Sequence, residues 1–495
     1  MYYVSTRDKS LHYSPAQAIA QGLSRDGGLF LPITTPKLPA DALEKMVQMT
    51  YQQRAQYIMS MYLEDFTAEE LGQYAEKAYG SDKFDVTEVA PLRKVDEDTY
   101  CLELWHGPTC AFKDMALQML PHLLTASLKK NQEEKTVCIL VATSGDTGKA
   151  ALEGFRDVEK TKILVFYPKD GVSEIQQLQM STQEGNNVGV SAVVGNFDDA
   201  QTGVKTLFSD PELREALAQR GFFLSSANSI NWGRVLPQVV YYISAYCDLM
   251  AQNAVQAGDP INVCVPTGNF GNILAAFYAK EMGVPIQRLI CASNSNNVLT
   301  DFIATGRYDR NRSFYTTVSP SMDILISSNL ERLLFLLSEG NDQLVADYMN
   351  QLNETGSYLV SDSIREKVQK VFTGGYASET DTAATIATMQ EKHNYLIDTH
   401  TAVAFQVLDQ YRKKTGDLTK TVVASTASPF KFCDAVLGAL NISEKASGTA
   451  LLDQLEQVTG VKAPQPLATL KDKTVRFDAW TEKEQMQSVV TDFLK

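Results

Sequence analysis

The sequence predicts an α/β protein with open, mostly parallel sheets and helices on both sheet faces. Six short, almost wholly apolar runs alternate with helical stretches: VCILVA (137–142), KILVFY (162–167), VGVSAVV (188–194), INVCVP (261–266), RLICAS (288–293) and TVVAS (421–425). Such runs are typical of parallel strands that helices cover on both sides. The chain has 495 residues, of which 44% are hydrophobic and 21% charged, so it can form two or three domains with large cores.

The pattern along the chain predicts three regions. Residues 1–95 carry helical patterns such as TAEELGQYAEKAYG and predict an N-terminal α-rich domain. Residues 96–225 predict a smaller α/β domain, and residues 226–495 predict a larger one. The strand pattern fades between about 307 and 395, where segments such as LERLLFLLSEG predict a helical insertion.

Charge and cysteine usage exclude several classes of protein. The formal net charge of −14 argues against a nucleic-acid-binding protein and against binding to an anionic membrane surface. The seven cysteines form no C-x-x-C pair, and four lie in apolar runs, which suits a reducing compartment. The N-terminus lacks a signal-peptide pattern, and no apolar run approaches the ~18 residues of a membrane span. We therefore expect a soluble cytoplasmic protein.

Lys113, in the stretch WHGPTCAFKD, is the first candidate for chemistry. At helical spacing it shares a face with Ala116, Leu117, Leu120 and Leu124, while Asp114, Gln118 and His122 fall on the face expected to meet solvent or polar partners. Pro121 is expected to kink or end this helix. Burial lowers the pKa of a lysine and makes the amine a nucleophile, although most helical lysines are solvated or extend from an apolar stem. The spacing alone leaves both interpretations open.

Two loops that follow predicted strands could hold phosphate groups. ATSGDTGKAALEGF contains Thr143 and Thr147, and VPTGNFGNILAAFYAKEMG contains residues 268–272 before a helix that Gly283 ends. Small residues at a helix N-terminus bring backbone N–H groups close to an anion. Neither loop matches a common nucleotide-binding motif, and the same residues are also ordinary turn and N-cap formers.

Two further polar segments follow apolar runs. SSANSINWGR (225–234) combines amides, hydroxyls and Arg234, a donor set that suits a phosphate, although a polar helix cap explains it equally well. In ASTASPFKF (424–432), the Thr426 hydroxyl could meet a neutral ring nitrogen. The five histidines form no zinc motif, and no G-x-S-x-G elbow is present, so neither a metal site nor serine hydrolysis is expected.

The order of these motifs carries a family resemblance. HGPT with AFKD, TSGDTG, NSINWGR, GNFGN and STASP follow one another, accompanied by STRD, DGGLFLP and SPSMDI (319–324). The combination resembles the threonine synthase family, in the long form found in bacteria and fungi, from residue 5 to about 434. The resemblance implies a fold type II pyridoxal-phosphate enzyme of the tryptophan synthase β type, which converts O-phospho-L-homoserine and water to L-threonine and phosphate.

The resemblance also implies roles for individual residues. Lys113 matches the lysine that binds pyridoxal 5'-phosphate covalently and then moves protons on the substrate. By this resemblance, residues 268–272 match the loop that binds the cofactor phosphate. Thr426 matches the hydroxyl partner of the ring nitrogen, and Asp146 matches a position near the phenolic oxygen of the cofactor. The cofactor-binding candidates are Lys113, Asp146, Gly268, Asn269, Phe270, Gly271, Asn272 and Thr426. The substrate-binding candidates are Thr143, Thr147, Asn228, Ser229 and Arg234.

Several alternatives stay open at this point. Related phospholyases share HGPT and FKD but release 2-oxobutanoate and ammonia, and a non-catalytic phosphometabolite-binding relative would keep the same fold. Ser428 stands where relatives often have histidine, a departure that touches no assigned role. The family includes monomers and homodimers, and the sequence gives His106 and Asp114 no separate function.

Overall fold

Two sheets of mostly parallel strands organise the protein, as the computed structural model shows for residues 1–443 and 446–495. One sheet has six strands and the other has five, and helices lie against both faces. All six strands predicted from apolar runs are present. The predicted fold class is therefore confirmed.

The N-terminal region is mainly helical, with one antiparallel pair of short strands. Ser14, Thr50 and Thr67 each form a capping box with the residue three positions on, which fixes the start of three of its helices. Its elements are β1 (Tyr3–Ser5), α1 (Pro15–Gln21), β2 (Phe30–Pro32), α2 (Ala42–Met46), α3 (Tyr51–Ser60) and α4 (Ala68–Tyr79).

The next part of the chain contributes to both sheets. Its elements are β3 (Leu92–Lys94), β4 (Thr99–Glu103), α5 (Asp114–Leu117), α6 (Leu120–Lys130), β5 (Thr136–Ala142), α7 (Asp146–Phe155), β6 (Thr161–Pro168), α8 (Glu174–Ser181), β7 (Val188–Val193), α9 (Phe197–Ser209), α10 (Pro211–Gln219) and β8 (Phe222–Ser225).

The remaining part begins with a long buried helix and supplies most of the six-stranded sheet. Its first elements are α11 (Trp232–Ala251), β9 (Ile261–Pro266), α12 (Gly271–Met282), β10 (Ile286–Ser293), α13 (Val298–Thr305), β11 (Arg307–Asp309), α14 (Leu330–Leu337), α15 (Asp342–Thr355), β12 (Ser357–Leu359), α16 (Asp362–Val371) and β13 (Phe372–Tyr376). Its last elements are α17 (Glu379–His393), α18 (Thr399–Thr415), β14 (Thr421–Ser425), α19 (Cys433–Ala439), α20 (Ala450–Thr459), α21 (Gln465–Ala468), β15 (Trp480–Thr481) and α22 (Met486–Phe493). Short 3₁₀ turns lie at Pro320–Met322, Pro429–Phe432, Thr469–Asp472 and Lys483–Gln485.

The six-stranded sheet has the order β13-β10-β9-β14-β4-β3, and only β3 runs antiparallel to its neighbour. The five-stranded sheet has the order β15-β7-β6-β5-β8 and is parallel throughout. Val263 of β9 lies opposite Leu289 on one side and Val422 on the other. In such sheets, ligands bind beyond the carboxyl ends of the strands, so the loops after β5, β9 and β14 are the natural place for a site.

The sheets cross the boundaries of the three predicted regions. β4 lies inside the predicted smaller domain (96–225) but pairs with β14 in the six-stranded sheet, and β15 from the predicted larger domain (226–495) joins the five-stranded sheet. The predicted helical insertion also contains the antiparallel pair β11–β12 and the edge strand β13. These strands are short and lack a long apolar run, so no pattern along the chain predicts them. Their pairing depends on partners that are distant in sequence.

The chain around Lys113 differs from the predicted kinked helix. α5 ends at Leu117, and α6 starts anew at Leu120 with Pro121 in its first turn. The expectation that Pro121 kinks or ends a helix was wrong, because a proline lacks only an N–H that the first turn leaves unbonded anyway. Asp114 and Gln118 do not face solvent, since both are buried; Asp114 instead meets a polar partner, Thr109, which the expectation of solvent or polar partners allowed.

All seven cysteines are free and buried. Across the described ranges, we find no helix that combines the length and the apolar character needed to cross a bilayer.

Candidate active site

Lys113 lies immediately before α5, and its side chain is almost fully buried. Its Nζ donates a hydrogen bond to Ser321 Oγ at 3.0 Å and lies 3.7 Å from Asp146 Oδ2. Burial lowers the pKa of Lys113 to about 8, against a smaller opposing effect from Asp146. This burial is the feature that the apolar spacing suggested, and it makes the amine available as a base or nucleophile near neutral pH.

Asp146 begins α7 and lies between two lysines. Lys431 Nζ contacts Asp146 Oδ1 at 2.8 Å, and Gln176 Nε2 donates to the same oxygen at 2.9 Å. Burial acts to raise the pKa of Asp146, but the positive charges of Lys431 and Lys113 outweigh it and hold the pKa well below its usual range. Asp146 is therefore ionised, and Lys431 is its main counter-ion.

The loop after β9 forms a cradle at the start of α12. A Cβ on Gly268 would lie 2.5 Å from the carbonyl oxygen of Ser321, so a side chain there would force the backbone to move. Phe270 adopts a left-handed conformation (φ 62°), which turns the chain into the helix at Gly271. Among the described residues, no side chain caps α12, so its first N–H groups are available to an anion.

Asn272, in the first turn of α12, has a side-chain nitrogen without a partner. Its Oδ1 accepts hydrogen bonds from the hydroxyls of Tyr241 (2.7 Å) and Tyr242 (2.5 Å), which fixes the orientation of the amide. Its buried Nδ2 meets no hydrogen-bond partner within the part of the chain that the structure describes. An unpaired buried donor is costly, so this nitrogen points to a ligand that completes it.

The loop after β5 is organised by Thr143. Its Oγ1 accepts hydrogen bonds from the backbone N–H groups of Gly145 (3.0 Å) and Gly148 (2.8 Å), so this hydroxyl shapes the turn into α7. A Cβ on Gly148 would lie 2.5 Å from the Thr143 side chain. Thr147 lies in the first turn of α7 and is half-buried. The candidate Thr143 is therefore already engaged in holding its own loop.

The turn before α11 brings Arg234 into the interior. Arg234 Nη1 donates to the carbonyl of Ala227 at 2.9 Å, while its buried Nε has no partner among residues 1–443 and 446–495. Burial lowers the pKa of Arg234 to about 10. Its charge in turn lowers the pKa of Lys113, so the two cations share one region. Asn228 and Ser229 are half-buried on the same turn.

Thr426 follows β14 and is buried. Its carbonyl accepts a hydrogen bond from the N–H of Phe112 at 2.8 Å, which ties it to the residue before Lys113. Nearby, Ser428 caps the 3₁₀ turn by accepting from the N–H of Phe430 at 3.3 Å. The Ser428 side chain thus stabilises the local turn.

Four residues that the sequence did not single out also line or support this region. Asn329 Nδ2 donates to the carbonyls of Ser229 (3.2 Å) and Asn269 (3.0 Å), so it joins two candidate loops. The others are Ser321, Lys431 and His400. Ser321 and Lys431 fall within the quoted segments SPSMDI and ASTASPFKF, whereas His400 and Asn329 had no motif signal.

His106 and Asp114, whose functions the sequence left open, support the Lys113 loop. Asp114 accepts hydrogen bonds from the backbone N–H (2.8 Å) and hydroxyl (2.7 Å) of Thr109, and burial raises its pKa to about 6. His106 lies between Asp85 (2.6 Å) and Glu103 (3.0 Å); these carboxylates outweigh burial and raise its pKa to about 9. Both residues hold the HGPT turn (106–109) in place beside Lys113.

These features fit a phosphorylated cofactor that binds a lysine. The uncapped N-terminus of α12 and the unpaired Asn272 Nδ2 provide donors for a phosphate, and the side-chain-free Gly268 allows close approach. Lys113 supplies the amine, and Arg234 supplies a second, separate donor for an anion. The arrangement can therefore hold a cofactor and an anionic substrate together.

Three family profiles match successive parts of the chain. The profile described as "Threonine synthase N terminus" matches residues 2–79, "Pyridoxal-phosphate dependent enzyme" matches 84–426, and "Threonine synthase, C-terminal" matches 401–490.

Individual proteins and solved structures agree with these profiles. The human protein "Threonine synthase-like 1" is 43% identical over 439 residues, and this chain spans only 58% of its length. "Threonine synthase" from Pseudomonas aeruginosa is 38% identical, over 88% of this chain and 90% of that protein. The crystal structure of threonine synthase from yeast superposes with a TM-score of 0.88 at 34% identity, over 100% of this chain and 98% of that one. The structure of pyridoxal-phosphate-bound threonine synthase from Brucella melitensis gives the same TM-score at 35% identity, over 100% of both chains.

Proposed function

The chain belongs to the threonine synthase family of fold type II pyridoxal-phosphate-dependent enzymes, and we propose that it converts O-phospho-L-homoserine and water to L-threonine and phosphate. The reaction breaks the bond between Cγ and the phosphate oxygen and one C–H bond at Cβ. It forms a bond between Cβ and a water oxygen and one new C–H bond at Cγ.

One observation carries this proposal: a buried lysine with a lowered pKa lies near a buried arginine that has an unused donor. Lys113 is 8% exposed and Arg234 is 3% exposed. The charge of Arg234 lowers the pKa of Lys113, and Arg234 Nε lacks a partner in the described part of the chain. An amine for the cofactor and a cation for a phosphorylated substrate are what this reaction requires together.

Residues of four loops would hold the cofactor. Pyridoxal 5'-phosphate, when bound, supplies an electron sink for charge that develops on the substrate carbons. Residues 268–272 would bind its phosphate through backbone N–H groups and Asn272 Nδ2. Thr426 would place a hydroxyl at the ring nitrogen, and the ionised Asp146 would lie near the phenolic oxygen, close to Lys113 Nζ.

Lys113 would act on protons once its amine is free. Its pKa of about 8 leaves a useful fraction of neutral amine near pH 7, so Nζ can take the proton from the substrate Cα and return a proton later. Asp146 and Ser321 lie beside Nζ and would keep it oriented during these transfers.

The substrate phosphate would bind between the loops that precede α7 and α11. Arg234 would pair with it through Nε, and Asn228, Ser229, Thr143 and Thr147 would complete its surroundings. These loops, whose residues are buried or half-buried, would shield the substrate phosphate from bulk water.

Product analysis tests the proposal. The purified protein, loaded with pyridoxal 5'-phosphate, is incubated with O-phospho-L-homoserine, and we expect threonine and phosphate in equal amounts. Formation of 2-oxobutanoate and ammonia without threonine would replace the proposal with the phospholyase alternative. This comparison matters because the human relative, at 43% identity, carries the name "Threonine synthase-like 1".

Colour distinguishes both enzymes from a non-catalytic phosphometabolite-binding protein. A protein that binds pyridoxal 5'-phosphate through Lys113 is yellow, and borohydride reduction fixes the cofactor to the Lys113 peptide. A colourless protein that takes up no added cofactor would favour the binding-protein alternative.

The location and assembly are part of the same proposal. We place the protein in the cytoplasm, a choice supported by seven free, buried cysteines. The net charge of −14 supports a small-molecule partner over nucleic acid or a membrane. A monomer or a homodimer is proposed, and sedimentation of the cofactor-loaded protein distinguishes them.

A further inference from the structure

Ser321 has a hydroxyl group that bridges the two charged groups at the centre of the site. Its Oγ accepts a hydrogen bond from Lys113 Nζ at 3.0 Å and donates to Asp146 Oδ2 at 3.5 Å. Lys113 Nζ and Asp146 Oδ2 are 3.7 Å apart, so the hydroxyl completes a triangle with them. Ser321 comes from the 3₁₀ turn Pro320–Met322, far in sequence from both partners.

The backbone of Ser321 is held by a buried histidine. Its N–H donates to His400 Nε2 at 3.2 Å, and His400 Nδ1 contacts Asp398 Oδ2 at 2.7 Å. Because Nε2 accepts a hydrogen bond, the ring proton lies on Nδ1 and points to Asp398. Asp398 and His400 are 0% and 2% exposed, so this pair forms a fixed support beneath the turn.

The rest of the turn is anchored independently of Ser321. Asn294 Nδ2 donates to Ser319 Oγ (3.0 Å) and to Asp323 Oδ1 (2.7 Å), and Thr399 Oγ1 donates to the carbonyl of Val318 at 2.7 Å. The carbonyl of Ser321 itself packs on Gly268, at the loop proposed to hold the cofactor phosphate. The turn therefore has enough other contacts to keep its shape when the Ser321 hydroxyl is removed.

We propose that Ser321 is a further catalytic residue, whose hydroxyl holds the free amine of Lys113 against Asp146, and that His400 and Asp398 are positioning residues that fix Ser321. The catalytic role of Ser321 rests on the proposed function. The contact between its hydroxyl and the Lys113 amine is seen directly in the structure.

The Ser321 hydroxyl stabilises the protonated amine of Lys113 more than the neutral amine. An acceptor at 3.0 Å stabilises the protonated amine, and the hydroxyl's own proton points to the carboxylate of Asp146. The other charged groups that act on Lys113 are Arg234 and Lys431, and both disfavour its protonated form. Loss of the Ser321 hydroxyl therefore shifts Lys113 further towards its neutral state.

The test measures the pKa of Lys113 in the full-length, cofactor-free chain, and the cofactor-loaded chain serves as the reference. Reductive methylation across a range of pH, read by mass spectrometry of the Lys113 peptide, gives the midpoint; bound cofactor protects Lys113 and confirms which amine is read. For Ser321→Ala we expect the midpoint to fall by roughly one unit, the size of one hydrogen bond to a charged group. Ser321→Thr keeps a hydroxyl and should restore the parent midpoint.

Ser319→Ala is the matched control. It removes another buried hydroxyl from the same segment, but one that contacts Asn294 rather than Lys113. We expect the Lys113 midpoint to stay at the parent value. Equal shifts in both serine variants, or no shift in Ser321→Ala, would overturn the proposal in favour of a turn with only a structural role.

The histidine is tested by paired variants, which also serve if Ser321→Ala does not fold. His400→Gln keeps an acceptor for the Ser321 N–H, whereas His400→Phe keeps only the ring packing against Phe432. We expect a shifted Lys113 midpoint in His400→Phe and near-parent behaviour in His400→Gln. The same behaviour in both would remove His400 from its positioning role.

These readouts remain informative if the proposed reaction is wrong. The labelling midpoint requires no substrate, so a shift without threonine formation would reject the proposed function and keep the Ser321 contact. If threonine is formed, we also expect Ser321→Ala to lower kcat by roughly tenfold or more and leave KM within about twofold, because the hydroxyl acts on the amine and not on the substrate phosphate.

Discussion

Lys431 and Asp146 form a buried ion pair that joins the two sheets. Lys431 follows β14 of the six-stranded sheet, and Asp146 follows β5 of the five-stranded sheet; their side chains meet at 2.8 Å with exposures of 0% and 3%. Lys431 also donates to the carbonyl of Thr109 at 2.8 Å, in the loop before Lys113. One lysine thus joins three segments that surround the Lys113 side chain.

Removal of one member of this pair should be strongly destabilising. In Lys431→Met, the carboxylate of Asp146 loses the cation at 2.8 Å and keeps the more distant Lys113 at 3.7 Å, so we expect a loss of about 3–5 kcal/mol in the free energy of unfolding. The double variant Lys431→Met with Asp146→Asn should lose clearly less than the sum of the single variants. Urea unfolding measures all three, and strictly additive losses would show that the pair is not coupled.

The same pair controls stability in acid. The folded-state pKa of Asp146 lies below its unfolded value, so its contribution is present above the unfolded pKa and lost as pH falls towards the folded one. In Lys431→Met that pKa rises towards its unfolded value, so Asp146 should contribute a smaller loss of stability in acid than in the parent. Unfolding free energies measured from pH 7 down to about pH 3 should therefore fall less steeply in Lys431→Met.

Lys113 should reduce the stability of the cofactor-free chain at neutral pH. Its folded pKa of about 8 lies below the ordinary value of 10.5, so the unfolded chain binds more protons between these values and stability rises with pH there. Lys113→Met should be more stable than the parent by up to about 3 kcal/mol at pH 7, and this gain should vanish near pH 10.5.

An exposed lysine provides the control for that pH window. Lys413, whose side chain is 75% exposed, pairs with Asp409 one helical turn away. Lys413→Met should change stability by no more than about 0.5 kcal/mol at either pH. A gain for Lys113→Met that does not depend on pH would contradict the titration explanation. Lys113→Met should also form no covalent bond to the cofactor and should have no turnover.

Two buried arginines should behave differently on substitution. Arg234 has an unused Nε, whereas Arg332 donates to the carbonyls of Phe30 (2.8 Å) and Ile230 (2.5 Å). We expect Arg234→Gln to raise KM for the phosphorylated substrate by roughly 10- to 100-fold, the size of one or two charge-assisted hydrogen bonds. Arg332→Gln should instead lower the unfolding midpoint, because it removes bonds that hold the protein together. A KM for Arg234→Gln equal to that of the parent would exclude it from substrate binding.

Gly268 should tolerate no side chain. A Cβ there would lie 2.5 Å from the backbone carbonyl of Ser321, so Gly268→Ala must move one of two segments of the site. We expect weaker binding of pyridoxal 5'-phosphate, by roughly tenfold or more, since even small displacements disturb several phosphate hydrogen bonds. Equilibrium dialysis of the cofactor measures this change.

Gly438→Ala is the matched control for Gly268. Among the described residues, nothing lies within 4 Å of a Cβ added at Gly438 in α19. Alanine there should raise stability by about 0.5–1 kcal/mol, as in other helix interiors, and leave cofactor affinity unchanged. Equal cofactor affinity in both glycine variants would show that the close contact at Gly268 does not contribute to binding of the cofactor phosphate.

Sequence reasoning found the main strands and the central lysine for physical reasons. Strands buried on both faces must be apolar at every position, so β5, β6, β7, β9, β10 and β14 were visible as runs. Lys113 stood out because its helical face was otherwise apolar, and its burial is confirmed. The roles of the predicted site residues remain proposals, which the variants above test.

The residues that sequence reasoning missed act through contacts between distant segments. Ser321 reaches Lys113 across 208 positions, and His400 reaches Ser321 across 79. Asn329 links Ser229 and Asn269, which are also far from it in the chain. None of these separations leaves a local pattern, because periodicity and capping report only neighbours along the chain.

By itself, the sequence determined the α/β class, the position of a lysine on an otherwise apolar face and the glycine-rich loops, because hydrophobic periodicity and turn chemistry are local properties. Only the tertiary structure decided which strands share a sheet, that Asp114 and Gln118 are buried, and that Lys431, Asp146 and Ser321 converge on Lys113. The physical reason is that burial and charge pairing depend on which surfaces meet when the two sheets pack. The lowered pKa of Lys113 is therefore a property of the assembled fold.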